Sequence, residues 1–112
     1  MKSDDIYLAR MCDAIGKIRR TTQGLDAEAF AASEQAVASV ILWLTQIGEI
    51  AKRLSRETKA RVDAPWKQIA GFRDVAVRDY FDLSVRDVWL TATTDISALA
   101  SALDCAADVA TK

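Results

Sequence analysis

A cluster of charged and aromatic residues near position 75 has side chains of the types that bind phosphate. Arg73, Asp74, Arg78 and Tyr80 lie close together in the sequence. Arginine binds phosphate and stabilises negative charge, but it keeps its proton and cannot act as a general base. The chain of 112 residues has no histidine, which excludes imidazole as a base, metal ligand or pH switch. Taken alone, the cluster predicts a charged helix end with an Asp74–Arg78 pair four residues apart.

The basic residues are concentrated in the middle of the chain. Residues 52–78 contain eight Lys or Arg and three Asp or Glu, a local charge of +5 in a chain of net charge -1. The overall charge argues against a general nucleic-acid binder, but the local excess could hold a phosphate backbone. Cations are also favoured at solvated helix ends, so the charge pattern leaves both interpretations open.

The rest of the composition excludes several other classes of protein. Cys12 and Cys105 lie far apart without a Cys-x-x-Cys motif, which excludes zinc and thioredoxin-type sites and favours reduced thiols in the cytosol over a disulfide. The first residues lack the pattern of an export signal, and the longest apolar run, Val40–Leu44, is too short to span a bilayer. We therefore expect a cytoplasmic protein, away from the membrane, with no metal or other cofactor.

The scarcity of turn residues predicts an all-α fold. The chain has four glycines and one proline, and its apolar residues follow a helical period. Four helices are predicted. The first covers about residues 4–20, with Ile6 on its apolar stripe, and the second runs from about 26 to the charged residues 56–61, with an apolar stripe of about seven turns. A short helix begins at Pro65, and the last covers about 84–110, opened by a Ser84–Asp87 capping box. The prediction is an up-and-down bundle in a single domain, residues 1–112, in which the short helix carries the Arg73 cluster.

Three segments resemble the HEPN proteins of the DUF86, or HepT, group. Residues 47–55, IGEIAKRLS, are similar to the signature on the group's second helix. Residues 65–74, PWKQIAGFRD, resemble the proline-tryptophan segment that leads into its arginine motif, and residues 85–89 resemble the start of its last helix. The resemblance implies a HEPN-like helical bundle that forms a symmetric dimer.

The resemblance also implies a function. Members of this group are toxins that cleave RNA without a metal, and a minimal nucleotidyltransferase acts as the antitoxin by adding AMP to a tyrosine. Arg73 matches the arginine of the catalytic motif and Tyr80 matches its tyrosine, so Tyr80 is expected to be partly exposed. Arg78 stands where the group has histidine, which implies that this form binds phosphate but is catalytically impaired.

Several alternatives remain at this point. Arg78 is either natural, in a member that binds without cutting, or a replacement that makes a toxic protein expressible; the otherwise intact motif favours the second. Glu49 either orients Arg73 or lies at a dimer seam, while Lys52 and Asp74 are expected to support the site or contact RNA. The alternative function is a non-catalytic helical partner that presents Tyr80 or a small substrate to a nucleotidyltransferase.

Overall fold

The computed structural model describes residues 2–104, with side chains from Asp4 onward. The helices are α1 (Lys2–Thr22), α2 (Ala27–Ala31), α3 (Glu34–Arg53), α4 (Arg56–Arg61), α5 (Trp66–Arg78), a 3₁₀ turn (Tyr80–Asp82), α6 (Val85–Leu90), a π-helical turn (Thr91–Asp95) and α7 (Ile96–Leu103). Residues 2–104 include no strand, so the predicted all-α bundle is confirmed for them. Within that range, no helix is both long and apolar enough to cross a membrane.

Helix α3 forms the centre of the bundle. It packs most extensively against α5 and against α1. The largest fully buried side chains come from most parts of the fold: Phe30, Met11, Ile15, Ile18, Ile47, Ile96, Leu99, Val40 and Val88. Burial of each such side chain contributes roughly 1.5–3 kcal/mol, so this shared core fixes how the helices cross.

The predicted long second helix is two helices. The backbone leaves the helical conformation at Ser33, whose side chain accepts a hydrogen bond from the Ala36 backbone N–H and so caps α3. Asp26 caps the short α2 in the same way, through the Ala29 N–H. Phe30, before the break, is buried in the same core as α3, so the apolar stripe continues across the break. The periodicity of apolar residues therefore did not reveal the break.

The helix that carries the Arg73 cluster is longer than predicted. α5 has 13 residues, and Pro65 precedes its first turn instead of lying within it. Before it, α3 ends at Arg53, and Ser55 caps a separate helix, α4, with a hydrogen bond from the Thr58 N–H. The basic residues between 52 and 78 are therefore distributed over three helices.

Two further predictions need correction. Ile6 is 53% exposed and lies outside the core. The last predicted helix begins after Ser84, whose hydroxyl accepts from the Asp87 N–H as expected, but it contains the π-helical turn. Its predicted end near Ala110, like Cys105, lies outside the described residues.

Candidate functional site

The candidate site lies where α3 and α5 approach each other most closely. At the contact α3 has Gly48, which is buried. A Cβ atom built on Gly48 would overlap the Cβ of Arg73 and would lie 2.9 Å from the carbonyl oxygen of Ile69. Glycine costs a helix roughly 0.5–1 kcal/mol relative to alanine, but only glycine lets the two backbones come this close. The position of Arg73 therefore depends on Gly48.

Arg73 is held by two carboxylates, one from each of the crossing helices. Its Nε donates to Oε1 of Glu49 at 2.8 Å, and its Nη1 donates to Oδ1 of Asp74 at 3.1 Å. The Arg73 side chain is 26% exposed. A guanidinium has five N–H groups, and both on Nη2 have no partner among the described residues. The fixed side chain thus keeps donors that can bind an anion.

Asp74 and Glu49 connect Arg73 to two further cations. Asp74 accepts a hydrogen bond from Nζ of Lys52 at 2.5 Å, and Glu49 accepts from Arg53 at 3.3 Å. The Lys52 bond, followed by that from Arg73, lowers the pKa of the Asp74 carboxyl. Burial raises the pKa of Glu49, but the Arg53 hydrogen bond and the Arg73 charge outweigh it and the net shift is downward. Both carboxylates therefore stay ionised at neutral pH.

Arg78 lies at the exposed end of α5. Its Nε donates to the backbone carbonyl of Asp74 at 3.3 Å. The predicted Asp74–Arg78 side-chain pair is not among the ion pairs of residues 4–104, because the Asp74 carboxylate is taken by Lys52 and Arg73. The guanidinium of Arg78 therefore stays on the surface, five residues beyond Arg73 along α5.

Tyr80 lies outside α5, in the 3₁₀ turn that follows Asp79. It is 50% exposed, which confirms the prediction of partial exposure. Its ring meets the ring of Phe81 edge to face, with centroids 5.8 Å apart, and Phe81 itself is 96% exposed. About half of the Tyr80 side chain is therefore open to solvent.

A groove between α1, α3 and α5 opens beside Arg73. Its volume is about 600 Å³. The polar residues on its wall include Tyr7, Arg10, Lys17, Gln46, Arg53 and Arg73. The neighbouring Tyr7 side chain and Glu49 both raise the pKa of the Arg53 guanidinium. We call this feature the α1–α3–α5 groove.

The comparison with known proteins decides the family. A family model described as "Ribonuclease HepT-like" matches residues 11–106. The chain belongs to the HepT-like family. This match confirms the family that was predicted from the resemblance of residues 47–89.

Two relatives are similar to this HepT-like chain over nearly their whole length. One, named "Probable ribonuclease HepT", from Thermococcus cleftensis, is 31% identical over 99 residues, which cover 88% of this chain and 90% of the relative. Another, named "Putative RNase TTE0752", from Caldanaerobacter subterraneus subsp. tengcongensis, is 29% identical over 100 residues, which cover 88% and 89%. No solved structure matches the chain.

The site of the HepT-like chain combines expected and unexpected residues. The structure brings Glu49, Lys52, Arg73 and Asp74 into one network. Arg78 bonds the backbone carbonyl of Asp74, and Tyr80 lies in the turn after α5, where its ring contacts Phe81. Sequence reasoning did not single out Tyr7, Arg10 or Arg53 as site residues. Local sequence patterns could not predict that these residues line the groove, because the groove forms only when α1 packs on α3. In residues 4–104, no group of three or more His, Cys, Asp or Glu is arranged to hold a metal.

Proposed function

We propose that this HepT-like chain is the toxin component of a toxin–antitoxin pair, with RNA as its substrate and metal-independent RNA cleavage as its inherited activity. The observation that carries the proposal is the geometry of Arg73, which is fixed by Glu49 and Asp74 and still has unpaired N–H groups. Such an arginine suits the developing charge of a phosphorane-like transition state, because its donors need no reorganisation during the reaction.

The proposed reaction needs proton transfers that Arg78 does not provide. The 2′-hydroxyl must lose a proton as its oxygen attacks phosphorus, and the 5′-oxygen must gain one as its bond to phosphorus breaks. Imidazole performs both steps near neutral pH, whereas arginine keeps its proton. We propose that Arg78 helps to bind the phosphate, and that the chain with Arg78 binds RNA but cleaves it poorly.

Replacing Arg78 by histidine tests the proposal. We expect Arg78→His to cleave RNA in the presence of EDTA and to arrest growth when expressed, because the new imidazole faces solvent on the same helix as Arg73. The measurement is the rate of cleavage of a labelled RNA by the purified protein. Arg86→His, on the exposed surface of α6, is the matched control and should remain inactive.

A second substitution makes the result specific. Adding Arg73→Ala to Arg78→His should abolish the new activity, since the transition state loses its fixed cation. A folded Arg78→His protein without RNase activity would contradict the enzyme proposal and favour the non-catalytic presenting subunit.

We propose a minimal nucleotidyltransferase as the antitoxin, with Tyr80 as the residue to which it adds AMP. The half-exposed side chain of Tyr80 supports this assignment. Incubation of the protein with ATP and the nucleotidyltransferase encoded beside it should add the mass of AMP to the peptide that contains Tyr80. Tyr80→Phe should remove the gain, whereas an equal gain in that variant would assign the modification to another residue.

We further propose a symmetric dimer that brings two copies of the motif together across a cleft. Apolar side chains near the motif support such an interface, since Phe81 is 96% exposed and Val75 is 36% exposed, and neither lines the α1–α3–α5 groove. Burial of these side chains by a second copy would remove them from water and place the two Arg73 side chains on one surface.

A further inference from the structure

The α1–α3–α5 groove contains cations that the proposed reaction does not use. Arg73 lies at one side of it, but Arg10 and Lys17 come from α1, and Arg53 comes from the end of α3. None of these three belongs to the motif of Arg73, Arg78 and Tyr80. Their position beside Arg73 suggests a ligand that extends from the phosphate into the groove.

The charges on the groove wall favour an anion. Four cations, Arg10, Lys17, Arg53 and Arg73, face two carboxylates, Asp13 and Glu49. Lys17 lies 3.4 Å from Asp13 and Arg53 lies 3.3 Å from Glu49, so these pairs neutralise part of the charge. Arg10 has no hydrogen-bond or ion-pair partner among residues 4–104. An excess of two positive charges remains.

The groove also has the size and the mixed lining that a nucleotide requires. Its volume of about 600 Å³ falls within the usual range of small-molecule sites. Ala14, Ile50 and Val77 contribute apolar surface, and the exposed Gln46 contributes an amide that can both donate to and accept from a base. Tyr7 adds an aromatic ring, a type of surface on which any base can stack.

Resting on the proposed function, we propose that the α1–α3–α5 groove holds one unpaired nucleotide of the RNA, the one next to the phosphate that Arg73 binds. A base that remains paired within a duplex cannot enter a groove between helices, so the site selects single-stranded RNA. Arg10 contacts the phosphate on the far side of this nucleotide, and Gln46 contacts the edge of the base. The groove thus sets which strand segment reaches Arg73.

The test measures the affinity of the full chain for a labelled single-stranded RNA and for a duplex of the same sequence. Two groove variants are used: Arg10→Ala removes the unpartnered cation, and Gln46→Leu removes the amide without changing the charge or adding an aromatic ring. Each should weaken single-strand binding about tenfold, in line with the loss of one phosphate contact or one hydrogen-bonded base edge, and leave duplex binding within about twofold. Arg20→Ala, which removes one exposed cation of α1 outside the groove, is the matched control.

The outcomes separate this proposal from the proposed function. If Arg73→Ala weakens RNA binding and both groove variants do not, the groove proposal is wrong and the proposed function stands. If the unaltered protein binds no RNA, the proposed function fails as well. NMR titration with 5′-UMP and 5′-AMP distinguishes a free nucleotide from RNA: shifts at Tyr7 and Gln46 without any effect of the groove variants on RNA affinity would overturn the RNA assignment. A changed oligomeric state with unchanged RNA affinity would instead identify the groove as a contact between copies.

Discussion

Arg73 has a fixed direction because carboxylates hold it from two helices. Glu49 binds the Nε side and Asp74 binds Nη1, which leaves the Nη2 side for a ligand. Charge-assisted bonds of this kind are stronger than neutral ones and specify orientation. The structure therefore supports one of the two roles considered for Glu49, that of orienting Arg73.

The role of Glu49 predicts a particular kinetic signature. In the Arg78→His background, Glu49→Gln should lower kcat roughly 10- to 100-fold, because a misplaced cation stabilises the transition state less well. KM should not rise, since the loss of a negative charge does not weaken the attraction of RNA. Glu34→Gln, an exposed change on the same helix, is the control for charge.

The same pair of variants shows what would contradict a positioning role. A purely structural Glu49 would lower the melting temperature of Glu49→Gln and leave kcat of the folded protein unchanged. Because the net pKa shift of Glu49 is downward, its effect on kcat should persist at neutral pH and fade only in acid, as the carboxylate is protonated.

Sequence patterns pointed to four residues that share hydrogen bonds around Arg73, but not to how they pair. Arg73, Glu49 and Lys52 follow from the resemblance, and the exposure of Tyr80 follows from its inferred modification. The four-residue spacing predicted an Asp74–Arg78 pair, yet Lys52 and Arg73 take that carboxylate. Partners on other helices depend on where those helices cross, and local spacing does not contain that information.

At the scale of the helices, Gly48 controls the distance between α3 and α5. We expect Gly48→Ala to destabilise the fold by about 1–3 kcal/mol, because the added methyl group overlaps Arg73 and the Ile69 carbonyl. The shift of α5 should also weaken RNA binding. Urea unfolding and RNA binding by the folded variant measure the two effects.

Gly71 on α5 provides the matched control for this prediction. A Cβ built there meets nothing within 4 Å. Gly71→Ala should therefore stabilise the protein by roughly 0.5–1 kcal/mol through helix propensity and leave RNA binding unchanged. Equal effects of the two substitutions would show that the close approach at Gly48 has no special importance.

Helix boundaries were the least predictable part of the elements. α1 ends at Thr22, close to the predicted residue 20, and Gly24 follows it with a φ of 81°. Ser84 caps α6, as predicted. The break at Ser33 was missed because serine is also tolerated inside helices, and both sides of the break face the same core.

At the scale of the whole molecule, Asp4 joins the beginning of the fold to its middle. Its carboxylate accepts hydrogen bonds at 2.6 Å from the hydroxyls of Ser55 and Thr58, and so ties α1 to the start of α4. These bonds, from Ser55 first and then Thr58, lower the pKa of the carboxyl from its usual 3.8. The bonded residues lie more than fifty positions apart in the sequence, so no local motif predicts this connection.

The lowered pKa of Asp4 predicts a pH-dependent contribution to stability. The folded state binds this proton less readily than the unfolded state, so the stabilisation is complete above the usual pKa and is lost as pH falls through the folded pKa. Asp4→Asn should lower the urea midpoint most at pH 7 and 5, and less at pH 3. Asp5→Asn, an exposed neighbour, should show no such trend, and parallel curves for the two variants would contradict the prediction.

The π-helical turn at Thr91–Asp95 has a consequence for the length of the chain. A π turn takes more residues than an α turn to complete nearly the same rotation, and Val88, Ala92, Ile96 and Ala100 all stay buried across it. Removing one exposed residue, Thr94, would let the turn close as ordinary α-helix with the faces before and after it still aligned. This is a position at which the chain can shorten by one residue and keep both halves of its last helix in register.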